Sequence, residues 1–142
     1  AAKGETIFHR RGSQESLGGV MEEMQARLRA GRSVGVFPEG RTRGGDEVGP
    51  FHARIFSAAV EAAVPVQPVA LRYGECGDAQ TVVAFAAGEH FVGNFLRLLG
   101  EPGRVGDVIF LEPIDPAALG SRRAIAGLAR ERIVAAMAGS HG

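Results

Sequence analysis

An apolar run, Val34-Gly35-Val36-Phe37, empties into Pro38-Glu39-Gly40-Arg41-Thr42-Arg43. A carboxylate, a glycine, a hydroxyl and two guanidiniums thus follow one strand-like segment. α/β proteins build ligand sites where a buried strand ends in a charged, glycine-bearing loop. Guanidiniums grip phosphate or carboxylate through paired N–H donors, so Arg41, Arg43 and the Thr42 hydroxyl are candidates to hold an anion. Glu39 is a candidate to accept a hydrogen bond from a substrate alcohol, or to hold an arginine in place. Gly40 lets the backbone turn sharply or approach a ligand closely. A second stretch, Gly4-Glu5-Thr6-Ile7-Phe8-His9-Arg10-Arg11, also sets arginines just past a short apolar strand. Two neighbouring loops would then supply Arg10, Arg11, Arg41 and Arg43, an arrangement poor for stability and suited to binding an anion. On residue types alone, the competing reading is a pair of solvated loops whose charges answer one another.

Strands and helices must position these loops. The segment 6–8 reads as a strand, and the helix after it is capped by Ser13 or Ser16. Leu17, Val20, Met21, Met24 and Leu28 form its inner face, Gly31 its left-handed end, and Gly18-Gly19 weaken its first turn. Residues 33–37 are the next strand, stopped by Pro38. Residues 41–50 are a polar, glycine-rich loop, and 52–63 a helix burying Ile55, Phe56, Ala59 and Val60. Strands are expected at 66–73, 81–85 and 105–111. A short helix over 91–99 is expected to turn Phe91, Phe95, Leu98 and Leu99 inward. The terminal helix, 121–138, carries Ile125, Leu128, Ala129, Ile133 and Met137 on one face. This alternation predicts an α/β fold, a layered, mostly parallel sheet flanked by helices.

The chain has 142 residues, 45% of them apolar, which suits one domain or most of one with a real core. Its formal net charge is zero, so no global field argues for nucleic acid. Lys3 is the only lysine; the basic side is otherwise arginine. The single cysteine, Cys76, has no partner for an internal disulfide. No apolar run approaches a membrane span. His9, His52, His90 and His141 are scattered, with no metal-ligand spacing, and no G-x-S-x-G elbow, P-loop or G-x-G-x-x-G occurs.

With these residues in view, the chain resembles the glycerolipid acyltransferase family, whose members acylate lysophosphatidate and related lysolipids. Gly4 through Arg10 is similar to the family's second sequence block, Phe37 through Arg43 to the third, and Val64-Pro65-Val66-Gln67-Pro68-Val69-Ala70-Leu71 to the fourth, in the family's order. The resemblance implies transfer of a fatty acyl group from acyl-CoA or acyl-ACP to a lysophospholipid hydroxyl such as that of 1-acylglycerol-3-phosphate, without cofactor or metal. It implies that Arg10, Glu39, Gly40, Arg41, Thr42 and Arg43 bind the acceptor, and that Phe37, Pro38 and Pro65 shape the pocket. Its partners would be the lysolipid, the acyl thioester, a membrane surface and, as one of the two donor carriers, acyl carrier protein. Its place would be the cytoplasmic face of the inner membrane, held there by a segment outside this sequence.

Three departures bear on this. The family's Gly-Thr-Arg stands here as Gly40-Arg41-Thr42-Arg43, which leaves open which of the two arginines meets the phosphate. The family's catalytic H-x-x-x-x-D is absent: Gln14, Ser57 and Phe95 stand five residues after the first three histidines. The catalytic histidine and aspartate are therefore expected upstream of Ala1, residues 1–142 are read as a single, N-terminally truncated acyltransferase domain, and this piece alone is expected to be inactive. Arg54 stands where many members have glycine, which points to a different acceptor such as a lyso-ornithine lipid. A non-catalytic lipid- or anion-binding module on the same fold is the alternative function.

Overall fold

A computed structural model describes residues 7, 14–40, 44–45, 47–86 and 88–138. Arg10, Arg41, Thr42 and Arg43 lie outside the described residues, as do His9 and His141.

Helix α1 spans Gln14–Arg29 and runs straight through Gly18-Gly19, which the sequence reading expected to delay it. Met21 and Met24 are its buried residues, with Val20 and Leu28 beside them. Gly31 follows at φ +73°, the left-handed backbone expected at that end. A 3-10 turn, Ala53–Phe56, leads into α2, Ser57–Ala62, so the single helix expected over 52–63 is split. Its first turn is tightened onto the core by Phe56, which stacks with Phe51 at 6.4 Å between ring centroids.

Strand β1 is Val69–Tyr73 and β2 is Gly106–Phe110. They pair antiparallel, Val69 opposite Phe110 and Tyr73 opposite Gly106, and an isolated bridge joins Val66 to Ile114. Arg72 faces Asp107 across this ladder and meets its carboxylate at 2.9 Å, an opposite-charge cross-strand pair. Among the described residues this two-stranded sheet is the only one, and residues 33–37 carry no ladder. A strand needs a partner for its peptide groups, and neither β1 nor β2 reaches that segment. What the described residues show is a mixed helix-and-strand fold with a small antiparallel sheet.

After a 3-10 turn at Glu75–Gly77 comes α3, Gln80–Val83, where a strand was expected over 81–85. The β-branched Thr81, Val82 and Val83 are overruled by Gln80. Its side chain accepts from the Tyr73 N–H at 2.9 Å and donates to the Leu71 carbonyl, turning the chain back along β1. Helix α4 is Phe91–Gly100, α5 is Pro116–Leu119 and α6 is Arg122–Ala138. Asp115 caps α5 by accepting from the Ala117 N–H.

Ile125, Ala126 and Ala129 of α6 are buried with Phe56 and Ile114 in the main core. Met21, Met24 and Ala58 form a second cluster, and Ile55 packs against both. α4 corrects the sequence reading. Phe91, Phe95 and Leu99, expected inside, are exposed, and Asn94 is the helix's buried residue. The Arg97 guanidinium explains the rotation. It donates to the Val82 and Ala84 carbonyls at 2.5 and 2.7 Å and to the Glu89 carboxylate at 2.9 Å. Those carbonyls need donors, and the polar stripe of α4 supplies them.

Candidate functional site: the Glu39–Gly40 turn

The turn follows from two constraints on the chain. Pro38 follows the apolar run 34–37, and Gly40 sits at φ +71°. A Cβ at Gly40 would strain this left-handed backbone, and it would meet the exposed His52 ring at 2.8 Å, which would have to shift. The Gly40 N–H reaches back to the Phe37 carbonyl at 3.4 Å.

This turn is tied to the chain that follows the arginines. The His52 N–H donates to the Pro38 carbonyl at 2.9 Å. The Gly49 N–H donates to Glu39 Oε2 at 2.8 Å. Residues 38–40 and 49–52 thus run side by side, with 41–43 between them in sequence. Pro50 and Phe51 carry the second segment into the main core, where Phe51 packs.

The brace extends to α6. Arg130 Nε donates to the Gly49 carbonyl at 2.9 Å, and its Nη2 to the Val48 carbonyl at 2.7 Å. The peptide unit between Val48 and Gly49 is therefore held at both ends: its N–H, on buried Gly49, by a carboxylate and its C=O, on Val48, by a guanidinium. Charge-assisted bonds are shorter and stronger than neutral ones, and each polarises the peptide toward the other.

Glu39 therefore shapes the turn through the Gly49 peptide, a role additional to the acceptor contact expected of it. Pro38 is half-buried. Phe37 is 84% exposed, and Pro65 is exposed beyond α2. A groove of about 350 Å³ runs beside the segment leading into the turn, lined among others by Val20, Met24, Val34 and Ile55 with Arg27 and Arg32. Among the described residues no group of three His, Cys, Asp or Glu side chains is placed to hold a metal ion. No helix among them is long and apolar enough to cross a membrane.

Sequence reading missed Arg130. The signal was there: it falls four residues after Ala126 and three before Ile133, inside the apolar stripe of α6, where an arginine must find acceptors.

Comparison with known proteins supports the three-block reading. The sequence model of the Acyltransferase family matches residues 1–72, which contain both arginine-bearing blocks and the braced turn. The chain is 36% identical over 141 residues to the lyso-ornithine lipid O-acyltransferase of Pseudomonas aeruginosa, covering 99% of this chain and 54% of that protein. It is 37% identical over 68 residues to the 1-acyl-sn-glycerol-3-phosphate acyltransferases of Neisseria gonorrhoeae and Neisseria meningitidis serogroup B, covering 48% of this chain and 27% of each. The chain thus spans about half the length, or less, of the curated relatives it matches. No solved structure matches it. With its ordered blocks, its braced Glu39–Gly40 turn and a family match over half its length, this chain belongs to the Acyltransferase family.

Proposed function

We propose that the protein to which this chain belongs transfers a fatty acyl group from acyl-CoA or acyl-ACP to the hydroxyl of a lysolipid. The observation that carries this is the similarity to a lyso-ornithine lipid O-acyltransferase over 141 residues. In this reading a histidine takes the acceptor's hydroxyl proton, an aspartate orients that histidine, and the alkoxide attacks the thioester carbonyl, expelling the thiol carrier. The histidine and aspartate come from an H-x-x-x-x-D outside these residues, since no histidine within them has an aspartate five residues on. The chain's own contribution is the acceptor site. Arg10, Arg41 and Arg43 hold the acceptor's anionic head, Thr42 adds a hydroxyl, and Glu39 and Gly40 set the turn that presents them. Holding the head group also positions the hydroxyl, which lowers the barrier through orientation.

The breadth of similarity favours a lyso-ornithine lipid as acceptor: the match to that enzyme runs the length of the chain, those to the glycerophosphate enzymes over half of it. Arginine serves either acceptor, because a carboxylate and a phosphate both take its paired donors. The finer architecture we propose is a layered, mostly parallel sheet in the whole domain, with residues 33–37 as one of its strands. The reaction is read at the cytoplasmic face of the inner membrane, where a lysolipid acceptor resides.

The test uses the full-length natural protein with palmitoyl-CoA or palmitoyl-ACP and each acceptor, lyso-ornithine lipid and 1-acylglycerol-3-phosphate. Acylation of either lysolipid is expected, with the ornithine acceptor preferred. Binding of both without transfer would replace this reading with a non-catalytic lipid-binding module.

A further inference from the structure

We propose that Arg130 is a positioning residue for the acceptor site, setting the Glu39–Gly40 turn from the far end of the chain through the Gly49 peptide. The inference rests on the reading of that turn as the acceptor site. Three observations carry it. Arg130 spans two consecutive carbonyls, Val48 at 2.7 Å and Gly49 at 2.9 Å, with the pre-oriented planar donors of a guanidinium, which an ammonium lacks. The peptide unit between Val48 and Gly49, whose carbonyl takes one of these bonds, gives its N–H to Glu39 Oε2 at 2.8 Å, so the guanidinium and the carboxylate meet through one backbone unit at buried Gly49. The two sides are 81 residues apart in sequence, so the link is made by the fold.

The anchor is rigid on the α6 side. Ala129, next to Arg130, is 2% exposed, and Ile125 and Ala126 are buried in the main core. Among the described residues, the turn gets little apolar support from Phe37 beside it, which is 84% exposed. Its geometry is therefore set by hydrogen bonds: Gly49 to Glu39, His52 to Pro38, and Arg130 behind Gly49. Removing Arg130 leaves two carbonyls without this donor and frees the Gly49 peptide to rotate. Glu39 then loses the ordered Gly49 N–H that it accepts from. Arg130 acts through the backbone at Val48 and Gly49 and through Glu39.

The experiment compares Arg130→Ala and Arg130→Lys with wild type in the full-length protein. It reads kcat, the KM for lyso-ornithine lipid and 1-acylglycerol-3-phosphate, the KM for palmitoyl-CoA, and amide hydrogen exchange over residues 47–52. Arg130→Ala is expected to raise the acceptor KM about tenfold and leave the palmitoyl-CoA KM within about twofold, because a displaced binding group weakens the substrate it holds. Exchange over 47–52 should quicken while that of α6 stays slow. Arg130→Lys, keeping the charge without the planar paired donors, should fall between. An unchanged acceptor KM, or an equal rise in both KM values with loss of protection in α6, would overturn the proposal. If Arg130→Ala does not fold, the lysine variant decides on the same criteria. A wild-type protein that acylates neither lysolipid would instead overturn the function reading. The brace itself then stands or falls on exchange over 47–52, and unchanged protection in Arg130→Ala overturns it.

Discussion

Helix α6 turns Ile125, Ala126 and Ala129 into the core, whereas α4 turns Asn94 inward and leaves Phe91, Val92, Phe95, Leu96 and Leu99 in solvent. Each carries an arginine that clasps two backbone carbonyls: Arg130 those of Val48 and Gly49, Arg97 those of Val82 and Ala84. The same chemistry does different things. In α6 the clasp is added to an apolar anchor, so it can fix a distant loop without having to hold the helix. In α4 the clasp is the anchor. Arg97 bonds Glu89, Val82 and Ala84, and Asn94 bonds Glu89 and Ala84. An arginine can position a site only where something else secures the element it stands on.

The contrast can be broken most forcefully from the α6 side. Ile125 is fully buried, and Ile125→Ala should lower global stability by about 3 kcal/mol, read as a shift of the urea midpoint. Arg97→Ala should do something of another kind. It should free α4, seen as rapid amide exchange over 91–100, while β1, β2 and α6 keep their protection. Both helices losing protection together would refute the distinction.

Acid sharpens the same comparison. The Arg97 guanidinium, then the Ala86 N–H, hold the Glu89 carboxyl down from its ordinary 4.5 to about 2. A carboxylate whose folded pKa is depressed adds stability that is complete above the unfolded value and drains away as pH falls through the folded one. The α4 mooring should therefore be intact above about pH 4.5 and be lost progressively toward pH 2. Glu89→Gln should abolish this dependence in a pH series of exchange over 91–100, while α6 keeps its own profile. The smallest effect belongs to the outward face. Phe95 is 52% exposed, so Phe95→Ser should change the unfolding free energy by less than about 0.5 kcal/mol. A loss of several kcal/mol would mean that this face is covered by protein.

How much of this was legible beforehand follows the same division. Local signals held where one interaction decided the outcome: Gly31 closing α1, Pro38 ending the run before the turn, the periodic stripe of α6. The turn at Glu39-Gly40 was legible as a turn, because proline stops an apolar run and glycine takes a positive φ. Its bracing was not. Glu39 binds a peptide N–H ten residues on, and nothing in the type of Gly49 announces a donor. α4 misled because its period was read correctly but its direction was not: periodicity finds two faces, and burial of polar partners chose between them. The segment 81–85 misled because β-branched residues yielded to the Gln80 bonds along β1.

The two arginine-bearing blocks are proposed to bind the acceptor. The most direct measurement is the kinetics of the full-length protein carrying Arg10→Ala, with lysolipid and palmitoyl-CoA varied in turn. The predicted result is a KM for the lysolipid raised about tenfold or more, with the palmitoyl-CoA KM nearly unchanged. An equal change in both, or none in either, would contradict an acceptor site at these arginines.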